Sequence, residues 1–222
     1  SNKTKHYRYT KQEDLLLKNF DLCRRFCTKN KYPKYIFKTW GYVINYYIYQ
    51  KRFKEALLQL RKYQELMRLE GDSYSISMYY YEVGNFYTVQ QQNATALSYY
   101  LLALKYKTSE QLSIYTQIGY CYFILGNYLE AIRYTKKALS LCQSDVMRIN
   151  PSMTLAKSYC LMGDEENAKK MISIVKRYQN ENMTHVSFSN FYMMLYYYYS
   201  YIKKDKEKAL EAALAAGTKD TP

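Results

Sequence analysis

The chain of 222 residues carries 33 Lys and Arg against 19 Asp and Glu, a net charge of +14, and 30 tyrosines. It is long enough for one domain with an extended core, and it has neither the roughly 18 continuous apolar residues of a membrane span nor a leader pattern, so a soluble cytoplasmic protein with no membrane role is expected. Five irregularly spaced cysteines exclude a disulfide framework, and with only two distant histidines, His6 and His185, no metal or cofactor site is expected.

The basic excess is concentrated at the front: residues 1–38 hold eleven Lys or Arg against Glu13, Asp14 and Asp21. Such an end suits an acidic partner, nucleic acid, an attached domain, or simply a solvated face. The first element is an amphipathic helix over residues 11–29, with Leu15, Leu16, Phe20, Cys23, Phe26 and Cys27 at helical spacing. It reads as a cap, half of a degenerate hairpin, or the end of a connector, and it closes a basic segment over 1–35. Tyr32-Pro33 breaks it.

A phased pattern then recurs five times. The first copy is Trp40-x2-Val43-Ile44-x2-Tyr47 with Ala56-x3-Leu60; the second is Tyr80-x2-Val83-Gly84-x2-Tyr87 with Ala96-x3-Tyr100. The third is Tyr115-x2-Ile118-Gly119-x2-Tyr122 with Ala131-x3-Thr135. Weaker copies follow at Ser152-x2-Leu155-Ala156-x2-Tyr159 with Ala168-x3-Ile172, and at Met193-x2-Tyr196-Tyr197-x2-Ser200 with Ala209-x3-Ala213. Anchor and alanine are 16 apart in every copy (40 to 56, 80 to 96, 115 to 131, 152 to 168, 193 to 209), while successive anchors are 40, 35, 37 and 41 apart. A constant interior with variable links describes a helical hairpin whose small residues, Gly84 and Gly119 in the first helix and the alanines in the second, let two helices approach.

Turns within the hairpins fall at Gln50-Lys51-Arg52, residues 90–93, Gly126-Asn127, Gly163-Asp164 and Lys203-Lys204-Asp205. Links between them fall at residues 70–73, 108–110, 143–151 and 180–184. Asn150-Pro151 has the form of an N-cap followed by proline at the first helical position, Thr108 or Ser109 suits a cap before Glu110, and Gly217 suits a C-cap. Glu13-Asp14 and Glu165-Glu166 read as charges at helix starts. The hairpins span about 36–70, 76–108, 111–143, 150–179 and 186–216, with a tail over 217–222.

This pattern resembles the tetratricopeptide repeat, W-x2-L-G-x2-Y followed by A-x3-F. The resemblance implies an all-α, right-handed superhelical solenoid of about five hairpins plus the leading helix, its concave surface lined by the first helix of each hairpin. Carried over by position, that surface draws on Lys38, Tyr42, Asn45 and Tyr49; on Met78, Tyr81, Glu82 and Asn85; on Gln117, Tyr120 and Phe123; and on Lys157 and Tyr198. Asn45 and Asn85 occupy the same repeat position, and an amide offers a donor and an acceptor to the backbone of an extended peptide. The Hsp90-type carboxylate clamp is disfavoured, since Gly41 stands where its lysine would be. Catalysis is not expected: there is no phosphate-cradling glycine loop and no nucleophile elbow.

The degenerate repeats, the groove asparagines and the leading helix further resemble the receptor domains of peptide-pheromone regulators of Gram-positive bacteria, the Rap, Rgg, NprR and PlcR class. That resemblance implies a short signalling peptide as partner, a homodimer, quorum sensing, and DNA contacted only through an upstream helix-turn-helix domain of about 60 to 70 residues. The beginning Ser-Asn without methionine fits an excised domain. The other reading is a scaffold or adaptor whose groove holds a segment of a partner protein.

Overall fold

The computed structural model describes residues 2–106, 110–178 and 185–217, and every regular element among them is helical. The chain folds as two compact units, residues 1–109 and 110–222. The first contains α1 (Asn2–Lys29), α2 (Pro33–Tyr49), α3 (Phe53–Glu70), α4 (Ser73–Val89) and α5 (Asn93–Leu104). The second contains α6 (Gln111–Ile124), α7 (Tyr128–Ser140), α8 (Asp145–Leu161), α9 (Glu165–Tyr178), α10 (His185–Tyr197), a π-helical turn (Tyr198–Lys203) and α11 (Lys206–Gly217).

In the first unit α1 lies against α2. Phe20 packs on Trp40 with ring centroids 5.4 Å apart, Cys27 is buried, and Glu13 accepts a hydrogen bond from the Tyr47 hydroxyl at 3.0 Å and pairs with Arg52. The helix starts at Asn2 rather than at Lys11, because the apolar period that marks it begins only at Leu15 and a largely polar stretch lengthens a helix without leaving that signal. Glu13 and Asp14 are consequently mid-helix residues, not helix-start charges. Pro33 opens α2, where its missing N–H is not needed.

Pairs α2/α3 and α4/α5 form the hairpins, and Tyr63 of α3 joins them. It is fully buried, its ring lies 5.0, 5.8 and 5.7 Å from those of Phe37, Trp40 and Tyr79, and its hydroxyl donates to the Ser75 carbonyl at 3.1 Å. Burial of one such ring stabilises by about 2 to 3 kcal/mol, and the satisfied hydroxyl removes the penalty of burying it. Gly84 is the closest crossing point of α4 and α5: a Cβ there would stand 2.5 Å from the fully buried Tyr100 ring. Absence of a side chain at 84 lets Tyr100 lie across α4.

In the second unit Gly119 does the same for α6 and α7, where a Cβ would overlap the Thr135 hydroxyl. The start of α8 differs from the expected Asn150-Pro151 cap. The helix begins at Asp145 after Ser144, and Pro151 is inside it. An internal proline leaves the carbonyl four residues earlier without its helical donor. Here that is the Met147 carbonyl, and the Cys142 thiol lies 3.4 Å from it, its single hydrogen shared with the Ala138 carbonyl at the same distance. An Asn-Pro pair has the same appearance at a helix start and inside a helix whose orphaned carbonyl is met from outside. Gly217 is the last helical residue of α11 rather than a residue beyond it. The Thr108/Ser109 cap, the 180–184 link and residues 218–222 lie outside the described residues.

Each turn inside a hairpin contains one residue in the left-handed region, at Lys51, Gln91, Gly126, Gly163 and Lys204. Each stands eleven residues after its anchor at 40, 80, 115, 152 or 193. Two are glycine, for which the conformation carries no steric cost; the other three have a Cβ and bear about 1 kcal/mol or more of strain.

Candidate binding site

The first unit assembles a polar cluster on neighbouring faces of α2 and α4. Asn45, one turn beyond Gly41, donates from its side-chain amide to the Gly41 carbonyl at 3.0 Å and to Glu82 Oε2 at 2.8 Å. Asn85, three residues after Glu82 on α4, donates to the same Oε2 at 3.0 Å and reaches Asn45 Oδ1 at 3.5 Å. The Tyr100 hydroxyl donates to Asn85 Oδ1 at 2.8 Å. Because Glu82 accepts two amide N–H groups at one oxygen, both asparagine orientations are set by the carboxylate.

Glu82 is 3% exposed. Burial raises its carboxyl to about 7 against the opposing effect of the Asn85 and Asn45 amides. Its other oxygen, Oε1, lies over the bare Cα of Gly41, 2.7 Å from where a Cβ would stand. Gly41 is therefore space for a carboxylate from the next hairpin. Around this cluster α2 presents a stripe in which Lys38, Tyr42 and Tyr49 are exposed, Tyr49 to 75%, while Asn45 is half-buried. Met78 and Tyr81 are half-buried on α4, and the Tyr81 ring is 5.7 Å from that of Tyr100. Large apolar rings left in water along one helical face mark a surface that partners can cover.

Of the residues expected to line a groove, the first unit thus brings Asn45, Glu82 and Asn85 into direct contact. The second brings Lys157 over Phe123, its Nζ 5.0 Å from the ring centroid. Lys157 is 6% exposed, and burial alone lowers its ammonium to about 8. Phe123 is buried and its ring is 5.8 Å from that of Tyr197. Tyr120, Gln117 and Tyr198 are half-buried; burial raises the Tyr120 hydroxyl, and Tyr198 lies under Lys203 at 5.8 Å.

Two expectations change. Glu82, Phe123 and Lys157 are interior groups rather than solvated groove residues. The asparagine amides are also occupied: both hydrogens of Asn45 and both of Asn85 point to acceptors within the unit, so what remains open on them is acceptor capacity. Gly41 and Tyr100 were not among the expected site residues. Tyr100 was legible in hindsight, since a tyrosine at the A-x3-F position opposite Gly84 carries a hydroxyl that phenylalanine lacks.

Among the described residues no three His, Cys, Asp or Glu side chains converge as metal ligands. Cys23 and Cys27 lie 3.7 Å apart at sulfur, and the Cys23 sulfur is 3.1 Å from the Thr39 hydroxyl.

The tetratricopeptide repeat matches residues 113–145. In three dimensions the chain is similar to BtubC (BKLC) from P. vanneervenii, with TM-score 0.63, 17% identity, and coverage of 95% of this chain and 90% of that one. It is also similar to YrrB, described as a TPR protein with an unusual peptide-binding site, with TM-score 0.51, 20% identity, and coverage of 82% and 85%. A third likeness is to a putative kinesin light chain of Podosopora anserina with nearly identical TPR-like repeats, with TM-score 0.57, 14% identity, and coverage of 83% and 96%. None of the curated protein sequences is significantly similar to this chain. The family match thus covers one repeat, and the likeness to these structures shows the fold, an all-α array of helical hairpins. Among the described residues no helix is long and apolar enough to cross a membrane.

Proposed function

We propose that this chain is a binding module for an extended segment of another polypeptide, seated on the α2 and α4 faces around Asn45, Glu82 and Asn85. The observation that carries this reading is the convergence of those three side chains, from the first helices of two successive hairpins, beside the exposed Tyr42 and Tyr49 rings. Similarity to YrrB, whose description includes peptide binding, is consistent with it.

Of the two finer readings, the adaptor that holds a partner segment takes precedence over the pheromone sensor of a transcriptional regulator. A sensor of that kind is expected to offer a peptide backbone both the donor and the acceptor of each asparagine amide, and here the donors of both are turned inward, to Glu82 among others, which leaves the acceptors alone. Neither reading includes a catalytic role.

The test is a selection of random dodecapeptides displayed on phage against the folded chain, with calorimetric titration of the enriched sequences. Saturable one-to-one binding is expected, weakened by about 1 to 3 kcal/mol in Asn85→Ala, the usual cost of a lost buried hydrogen-bonding partner. Enrichment of nothing, or affinities indifferent to substitution at both Asn45 and Asn85, refutes the reading.

A further inference from the structure

We propose that Glu82, framed by Asn45 and Asn85, is a receptor for one cationic group of the bound segment, an ammonium or guanidinium. The inference rests on the binding reading above and adds the chemistry of the ligand.

Four observations converge on it. First, the carboxylate is out of water, and among the described residues the hydrogen bonds it accepts come from the two asparagine amides and no ion pair reaches it. Second, the groups the structure places against it from the other helices are neutral, namely Gly41 and Asn45 on α2, Tyr63 on α3, whose hydroxyl it influences, and Tyr100 on α5, reached through Asn85, while the cation of the α2 stripe, Lys38, is exposed three residues before Gly41. Third, one oxygen takes both amides, whereas Oε1, which stands beside the bare Cα of Gly41, accepts no hydrogen bond among the described residues. Fourth, the amides are consumed inward, so with Glu82 ionised the cluster has acceptors only: Glu82 Oε1 with the remaining lone pairs of Asn45 and Asn85 Oδ1. An acceptor-only site rejects a carboxylate or phosphate and fits a group with several N–H donors.

The overall charge of +14 does not collect such a ligand from a distance. Selectivity must be local, which fits a buried pair: exposed charges are screened over about 8 to 10 Å in physiological salt, and buried ones much less. Binding is also coupled to a proton. Near neutrality the empty site holds its proton part of the time, and entry of the cation expels that proton to the buffer.

The experiment uses the whole chain, wild type and Glu82→Gln, and fluorescent nonapeptide pools read by anisotropy. The pools are N-acetylated and C-amidated, with the central residue fixed as Arg, Lys, norleucine or Glu; a further norleucine pool has a free amino terminus, so that side-chain and terminal cations are told apart. One cationic pool is expected to bind best, to lose about tenfold or more in Glu82→Gln while the capped norleucine pool stays within about twofold, and to tighten about tenfold from pH 6 to 8 in the wild type. The pH measurement stands even where the variant is poorly folded, which circular dichroism reports. Equal binding of all capped pools, preference for the Glu pool, or a cationic preference retained in a folded Glu82→Gln overturns the inference and leaves the binding module standing. Silence from every pool overturns both.

Discussion

Replacing Glu82 by glutamine keeps the shape and one amide acceptor while removing a titratable group from the interior. In the folded chain the carboxyl sits at about 7, against a reference of 4.5, and it is fully buried, so the difference bears directly on stability. The folded state holds its proton more tightly than the unfolded state; the unfolded chain therefore has fewer bound protons between those two values, and stability falls as pH rises through that window. A tenfold difference in proton affinity between the two states is worth about 1.36 kcal/mol, which gives the wild type a loss of about 2.5 kcal/mol between pH 5 and pH 8 from this one group. Glu82→Gln lacks that loss and is expected to exceed the wild type by a comparable amount at pH 8 while matching it more nearly at pH 5. Urea unfolding followed by circular dichroism at pH 5, 6, 7 and 8 measures both curves. Glu165, held near 2 by Lys169 and Lys203, is exposed and titrates below the window, so it does not mimic the effect. Parallel profiles for the two proteins would show that Glu82 is not a buried unpaired acid and would remove the basis of the cation receptor.

Lys157 gives the mirror case: its folded value of about 8 lies below the reference of 10.5, so stability is lower below pH 8 and rises between those values. Lys157→Met should raise the urea midpoint at pH 7, by an amount worth about 1 to 3 kcal/mol, and flatten the alkaline rise. Gly84→Ala should destabilise by about 2 kcal/mol or more, because its Cβ meets the immovable Tyr100 ring; Gly126→Ala, at φ +80° with open space around it, should cost only about 1 kcal/mol. Gln91→Gly, at a φ of 61°, should stabilise by about 0.5 to 1 kcal/mol in the same assay.

The hairpins were legible because their determinants are local and repeated. Alanine at a fixed distance from each anchor, and glycine at 84 and 119, are where two helices touch, and the structure puts Tyr100 and Thr135 at those glycines. The start of α8 was hidden because proline signals a constraint on one residue, whereas the compensating thiol of Cys142 comes from the preceding helix end. The left-handed turn residues were half hidden: Gly126 and Gly163 announce themselves, while Lys51, Gln91 and Lys204 do not. At the site, the positions of Asn45, Glu82 and Asn85 followed from repeat phase. Their mutual hydrogen bonding did not, since it depends on Gly41 making room for a side chain 41 residues later (41 to 82), a relation between hairpins that no single repeat contains.

The five left-handed turn residues carry a consequence for how such a chain changes over generations. What is kept from hairpin to hairpin is a handedness of backbone at one numbered place, and only twice is it kept by the residue type best suited to it. Each hairpin is thereby a cassette of set internal register, in which a residue gained or lost would swing the second helix onto its wrong face. Length variation is confined to the joints between cassettes, where anchors are spaced 40, 35, 37 and 41 residues apart. Such a chain can lose many of the side chains by which its repeats are recognised and still keep the same positions of each first helix in phase from hairpin to hairpin.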